Sequence, residues 1–505
     1  MADPLVPRGR VRLDFAPSVS FWDTRYGVRS DGGSEVAEEE KLGSDLTDPR
    51  GVSLFPGIVT LEQTLRSLAG DASFQADVGS TRARLEKEVT RIDVGLRVGV
   101  FEWLTVGASV PYVKGRSTLD FAFRADSAAN LGLNPLGSAG SSVSSLLSSL
   151  GDVAVAADAR ARSLCAAGAS AACQSATTLA QRANAFWQGM FGAYSATPFF
   201  PLGTAPVAAK LRAAYASLDG ALAGAGLPRI GAPIVFASKT LDDKAFRALP
   251  ADPASGIGMT AIQSYPGFWQ MGDVEVNATV RLLQGERRDS AALSPRFAWA
   301  LYGGFAVRLP TGLLDDPDVF LDFSSGDGQR DLEGRLDGEV RLGSRFGLRG
   351  GFRYGTQAAV DVVRRVAPHE APLPQASARR AVRWTPGAYT FFEISPRIHL
   401  GEALAFAADF RRYGKAADTY AAVGEEPEGT PPVDLSVLAR ETEMTLQELS
   451  VGLRYSSLGL FRSGRVGTPA EVGVRWVRPL SGSGGQTPKA TRIEASVSLF
   501  RRIWG

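Results

Sequence analysis

From Arg91 to Val98 the chain alternates strictly: Arg91, Asp93, Gly95 and Arg97 stand between Ile92, Val94, Leu96 and Val98. The pattern returns at Asp273 to Leu282, where Asp273, Glu275, Asn277, Thr279 and Arg281 interleave with Val274, Val276, Ala278, Val280 and Leu282. Successive side chains of a strand point to opposite faces, so each segment has one apolar and one charged face. The repetition predicts twelve strands, in the neighbourhoods of 11–26, 91–100, 103–123, 273–282, 296–309, 331–342, 346–354, 392–400, 404–411, 448–455, 471–476 and 492–499. The charged faces carry both signs, as in Glu333, Arg335, Asp337, Glu339 and Arg341, or Arg349 and Arg353, or Arg397. Lipid outside and water with charge inside is the pattern of an all-β, antiparallel up-and-down transmembrane barrel.

Connection lengths make a second pattern. Joins after even-numbered strands are mostly short and those after odd-numbered strands long, with the join near 456–469 the exception. In such barrels short turns face the periplasm and long loops the exterior, which puts both termini on the periplasmic side. In the third strand the apolar set moves from Leu104, Val106, Ala108, Val110 and Tyr112 to Leu119, Phe121 and Phe123, which predicts a bulge near Lys114 or a strand leaving the bilayer.

Between 126 and 265 the alternation stops and Ala, Ser and Leu take over, with Val207, Leu211, Tyr215 and Leu218 at helical spacing. This stretch is expected to be a helical extracellular cap or plug. The division is then an N-terminal periplasmic segment (1–10), strands one to three with the first extracellular loop (11–125), the insert (126–265), and strands four to twelve (266–505). Residues 1–10 lack the apolar core of a signal peptide and read as the start of a mature chain. Leu5-Val6-Pro7-Arg8-Gly9 also resembles a thrombin cleavage sequence, so native and engineered origins both stay open.

Composition narrows the class. The 505 residues are 44% hydrophobic and 21% charged, with mean hydropathy −0.03 and no apolar run long enough for a spanning helix. The net charge of +2 is too balanced for nucleic-acid binding. Cys165 and Cys173, close together in a chain with only two cysteines, predict a local disulfide in an oxidising compartment. His369 and His399, the only histidines, have no recognisable catalytic partners, so no enzyme activity, metal or cofactor is expected. The acidic run from Asp315 to Asp322 matches no calcium-loop spacing and reads as a solvated loop or one paired with lumen arginines.

Two groups of side chains are candidates for function. Phe186, Trp187, Met190, Phe191, Phe199, Phe200, Phe268 and Trp269 either form an apolar entry site or the core of the cap, with core the better reading for most. The lumen charges Arg97, Asp273, Glu275, Arg281, Glu333, Arg335, Asp337, Glu339, Arg341, Arg349, Arg353 and Arg397 either cross-brace the wall or bias transport by charge.

Gly272-Asp273-Val274-Glu275-Val276, Val307-Arg308-Leu309-Pro310-Thr311-Gly312, Phe320-Leu321-Asp322 with Gly326-Asp327-Gly328-Gln329, and Ser109-Val110-Pro111-Tyr112 resemble segments of outer-membrane proteins associated with phenol and aromatic degradation. Those proteins are similar to the wider long-chain fatty-acid transporter group. The resemblance covers the barrel strands and not the insert. It implies passive uptake of hydrophobic or amphipathic small molecules across a Gram-negative-type bacterial outer membrane. The expected setting is a monomer in contact with lipid and with the outer-membrane assembly machinery. That group usually has more strands and an N-terminal plug, whereas only about ten residues precede the first strand here. A structural or surface-interaction barrel with a closed lumen, and a pore for polar solutes, are the alternatives.

Overall fold

The computed structural model describes residues 4–31, 34–166, 168–287, 296–368, 371–424 and 433–504. Twelve strands close into one antiparallel barrel. They are β1 (Arg10–Trp22), β2 (Ser80–Phe101), β3 (Leu104–Arg124), β4 (Val274–Arg287), β5 (Phe297–Leu309) and β6 (Asp331–Leu342). The circuit continues with β7 (Phe346–Gln357), β8 (Tyr389–His399), β9 (Leu404–Lys415), β10 (Met444–Ser456), β11 (Ala470–Ser483) and β12 (Thr491–Arg502). Each pairs with its chain neighbours, and β1 closes the circuit on β12 from Arg10↔Arg502 to Phe21↔Thr491. Closure removes every sheet edge from the wall, which hydrocarbon requires because it offers backbone groups no hydrogen bonds.

The alternation sorts as the sequence predicts. Leu13, Phe15, Val94, Leu96, Leu332, Leu336, Phe352, Leu453, Val474 and Ile493 all stand exposed on the outer face. An apolar surface that runs round the whole molecule is far larger than a soluble monomer leaves to water, so it is a lipid-facing belt. Aromatics flank it: Phe101 stacks on Trp103 at 5.3 Å beside the first tight turn, and Tyr112, Tyr354 and Trp269 are exposed toward the other rim.

Joins 102–103, 343–345, 400–403 and 457–469 lie at one end, and 23–79, 125–273, 310–330, 358–388, 416–443 and 484–490 at the other. The join after β11 is shorter than expected, because β11 continues to Ser483 and Thr487–Pro488 pairs on the strand Thr24–Asp31. The long turn at 457–469 holds a short helix, Leu458–Arg462. Residues 288–295, between β4 and β5 in the chain, and His369 lie outside the described residues.

No bulge interrupts β3 near Lys114: its register with β2 runs unbroken from Thr105 to Arg124. The strand keeps its orientation while the environment changes. Past Ser109 it loses β4 as a partner, pairs briefly with Gln270–Met271, and rises above the barrel as a hairpin with β2. There the inward side chains Leu85, Leu119, Phe121 and Phe123 pack against the cap instead of water.

The cap is helical, as expected, but draws on two loops. Helices α2 (Gly140–Cys165), α3 (Ala171–Ser195) and α4 (Pro206–Gly224) come from the insert. Helix α1 (Gly57–Ala69) comes from the join between β1 and β2 and supplies Ile58, Leu61 and Leu65 to the same core. Ser170 caps α3 by accepting from the Cys173 amide, and the Cys165–Cys173 disulfide ties the α2–α3 turn. Short helix α5 (Asp243–Ala248) wedges Phe246 between cap and hairpin, 4.0 Å from the Phe123 ring and 5.7 Å from Phe55.

At the short-turn end the first residues fold inward. The Val6 amide donates to the Thr105 hydroxyl at 2.8 Å, and Val6 is fully buried. Gly9 has φ +72°, and a Cβ there would lie 2.3 Å from the Trp504 carbonyl oxygen, so only glycine fits.

Placing a charge on the outer belt tests the membrane assignment. Leu453→Arg is expected to cost about 2–4 kcal/mol in equilibrium refolding into lipid vesicles. A cost near zero would contradict lipid contact at this height.

Candidate functional site

The inward rows build the site. Because the strands are in register, side chains from neighbouring strands meet at one height, and three charge networks form. In the first, on β4, β5, β6 and β8, Arg308 reaches Glu275 (3.4 Å), Asp331 (3.1 Å) and Glu333 (3.2 Å). Arg335 joins Glu275 at 2.9 Å and also contacts Glu333, and the Tyr389 hydroxyl donates to Glu333 at 2.7 Å.

The second network spans β8 to β12. Arg411 pairs with Glu393 at 2.9 Å and reaches past two strands to Glu494 at 3.4 Å. Arg475 and Arg492 meet the same Glu494 at 2.5 and 2.6 Å, and Arg492 also reaches Glu448 at 3.2 Å. The third network joins β1, β2 and β12: Asp14 accepts from Ser498 at 2.6 Å and pairs with Arg12 (3.1 Å) and Arg97 (3.4 Å). A removed partner in such a network leaves a buried charge uncompensated, so the networks hold the wall to one geometry.

The networks do not fill the barrel. A cavity of about 2230 Å³ remains, walled by residues from nearly every strand, among them Arg97, Asp273, Glu275, Arg335, Asp337, Glu339, Arg341, Arg349, Arg353 and Arg397. Of the predicted lumen charges, Glu333 and Arg281 stand on the same inward rows without lining it: Glu333 is buried among Arg308, Arg335 and Tyr389, and Arg281 lies opposite Tyr302. The cavity reaches Arg345, Glu402 and Arg465 at the short-turn end.

At the other end it is roofed by Ser324, Ser325, Gly326 and Asp327, from the join between β5 and β6. This loop folds across the mouth. Asp273 accepts from the Gly312 amide (2.8 Å) and the Asp327 amide (3.1 Å). Phe323 reaches the β2–β3 hairpin, where the missing side chain of Gly115 makes room: a Cβ there would lie 2.3 Å from the ring. The Lys87 ammonium stands 5.2 Å from the centre of the same ring. Arg365 ties the roof to the cap, donating to Asp318 (2.7 Å) and to the carbonyls of Ile257 (2.5 Å), Gly258 (2.7 Å) and Pro374 (2.9 Å). The acidic run is thus bound to arginines: Asp315 pairs with Arg364, and Asp318 with Arg365 and Arg379.

None of the eight candidate apolar residues lines this cavity. Phe186, Met190, Phe199 and Phe200 are buried in the cap core. Trp187 packs partly against that core, while Phe191, Phe268 and Trp269 are exposed. Residues outside the twelve predicted lumen charges carry much of the geometry. Arg12, Asp14, Arg411 and Glu494 follow the alternation and could be found from it. Phe323, Asp327 and Arg365 lie where alternation gives no signal.

No family model matches the sequence, and no curated protein matches it. Among solved structures, an outer membrane channel from Pseudomonas putida F1 aligns over 99% of both chains at 9% identity and a TM-score of 0.42. A Pseudomonas aeruginosa FadL homologue aligns over 98% of this chain and 91% of its own at 8% identity and 0.27. The Ralstonia pickettii toluene transporter TbuX aligns over 99% and 90% at 9% and 0.27. At these scores the likeness adds nothing to the architecture that the strand register already establishes.

Burial, with the carboxylates of Asp331 and Asp273 nearby, pushes Asp327 up to about 6. A carboxyl raised in the folded state binds its proton more tightly there, so its contribution is present at low pH and is lost as pH rises through the folded value. Exchange protection of the 310–330 loop, corrected for intrinsic rate, is therefore expected to fall between about pH 4 and about pH 7. Asp327→Asn should flatten that dependence; an unchanged dependence in the variant would place its origin elsewhere.

Proposed function

We propose that this chain is a passive channel of a bacterial outer membrane that admits small hydrophobic or amphipathic molecules. The observation that carries the reading is the roofed cavity of about 2230 Å³ inside a closed, lipid-belted wall. A purely structural barrel would have no need to keep that volume empty, and its networks would close across it. The wall charges are largely paired, so they stiffen the passage without giving it the strong field of one sign that would bar uncharged solutes. A solute enters past the cap and the 310–330 loop, then moves toward the short-turn end.

The short turns and both chain ends are assigned to the periplasm, from the usual asymmetry of such barrels. The barrel is read as a monomer, since the apolar belt continues round the wall and lipid suffices to cover it. Its insertion would rest on the outer-membrane assembly machinery. Phe500 faces inward beneath the Arg12 guanidinium, and Trp504 is exposed. The Cys165–Cys173 disulfide suits an extracellular cap. A second reading, a pore for polar solutes, is favoured by the charged lining itself, in which Arg353 stacks over Phe391 at 5.0 Å with no carboxylate in ion-pair contact among the described residues.

Flux into vesicles decides between them. The protein is expected to pass a small aromatic acid several-fold faster than a disaccharide. Single-channel conductance should rise when residues 314–325 are replaced by a short Gly-Ser link. Faster passage of the disaccharide would favour the polar pore, and no flux by either form would favour the closed barrel.

A further inference from the structure

Arg397 is one of the lumen arginines outside the three networks. Reading straight round the wall, the register sets Arg341 beside Gly347, Gly347 beside Arg397, Arg397 beside Ala407, Ala407 beside Gly452, Gly452 beside Arg475 and Arg475 beside Glu494. One step toward the short-turn end the row reads His399, Ala405, Arg454, Gly473 and Ser496. Two adjacent rows therefore carry Gly347, Ala405, Ala407, Gly452 and Gly473, with the Arg475 stem lying over Gly452. The result is a shallow recess in the cavity wall, with Arg397 at one side and Arg454 and Arg475 at the other.

The flanking arginines have carboxylates: Arg341 pairs with Glu339 at 3.2 Å, Arg454 with Glu471, and Arg475 with Glu494 at 2.5 Å and Asp409 at 3.4 Å. Asp409, the acid on the row next to Arg397, is also taken by the hydroxyls of Ser450 (2.6 Å) and Ser395. Arg397 has only a long contact from its Nε to Ser395 Oγ at 3.5 Å, and its Nη2 is buried with no hydrogen-bond partner. A guanidinium left without an anion is costly; among the described residues Arg353, which also lacks an ion pair, has the Phe391 ring beneath it, whereas Arg397 has no such ring contact, and Gly347 and Ala407 leave it room to turn toward the cavity.

We infer that Arg397 and the small-residue recess beside it form a binding site for the carboxylate of a small organic acid in transit. Planar guanidinium meets carboxylate through two parallel hydrogen bonds. The methyl groups of Ala405 and Ala407 and the open backbone at Gly347, where a Cβ would meet nothing nearer than 3.9 Å, give the acid's apolar body a surface to lie on. This deepens the channel reading by naming the solute's chemical class, and it depends on that reading only for how the solute arrives.

The test is benzoate binding to the purified full-length protein in detergent, followed by NMR saturation transfer, with inorganic phosphate as a second probe. Because Arg397 supports no ion pair in the wall, Arg397→Gln should fold, which strand circular dichroism and the heat-shifted gel mobility of the barrel check. Benzoate is expected to bind roughly tenfold more weakly to Arg397→Gln, with Arg397→Lys in between. Equal benzoate affinity in wild type and Arg397→Gln, or binding of neither probe to the wild type, would overturn the site. Arg397-dependent binding of phosphate without benzoate would overturn the organic-acid class. Arg397-dependent benzoate binding in a protein that passes no solute into vesicles would uphold the site and overturn the channel.

Discussion

A chain that crosses hydrocarbon as strands can leave no backbone amide or carbonyl unpaired, and the rest of this structure follows from that constraint. It forces β1 back onto β12, so that the first and last residues of the wall meet as partners from Arg10↔Arg502 onward. Closure in turn fixes which residues face inward, because a slip of one residue would send a whole row of arginines and carboxylates into lipid. The register is thus held from outside by the apolar belt and from inside by the ion-pair networks. The two agree on the strand carrying Arg335 between Leu332 and Leu336.

A closed wall with charges turned inward must then settle those charges. Most are settled against each other: Glu494 gathers Arg411, Arg475 and Arg492, and Arg308 draws Glu275, Asp331 and Glu333 together. Such pairs add little net stability compared with an apolar filling, but they define one arrangement and keep the lumen wettable. Arg397 is settled differently: it stands beside Gly347 and Ala407 with its Nη2 buried and without a hydrogen-bond partner. At the long-loop end the problem is different. The 310–330 loop and the cap must close a wide mouth without a sheet, and they do so with Phe323 against Gly115 and with Arg365 holding three loops at once.

The barrel was legible because alternation over eight or more residues has few other physical explanations, and because charges of both signs on one face do not suit a dry core. Leu119, Phe121 and Phe123 show where the same logic needs help. Their apolar face is the lumen-side face of β3, and only the loss of β4 as a partner reveals that the strand has left the bilayer. The cap was legible as helical from composition. Helix α1 was not anticipated, since Ile58, Leu61 and Leu65 lie in a join between strands, far in sequence from the insert they pack against. The lumen charges could be assigned to a face but not to partners, because Arg411 reaching Glu494 past two strands depends on barrel curvature and not on neighbouring sequence. The resting place of Phe323 depends on a cavity that Gly115 leaves on a strand about two hundred residues away, which no local pattern encodes.

The central claim is that water lies inside this wall and lipid outside it. The two native cysteines are bonded to each other, so a single introduced thiol can report its surroundings without background. Ala407→Cys places a thiol on the lumen recess and Val474→Cys places one on the outer belt. With the protein in lipid vesicles, a charged, membrane-impermeant thiol reagent should modify the residue-407 thiol and leave the residue-474 thiol untouched. Modification at 474 with protection at 407 would turn the barrel inside out and contradict the account.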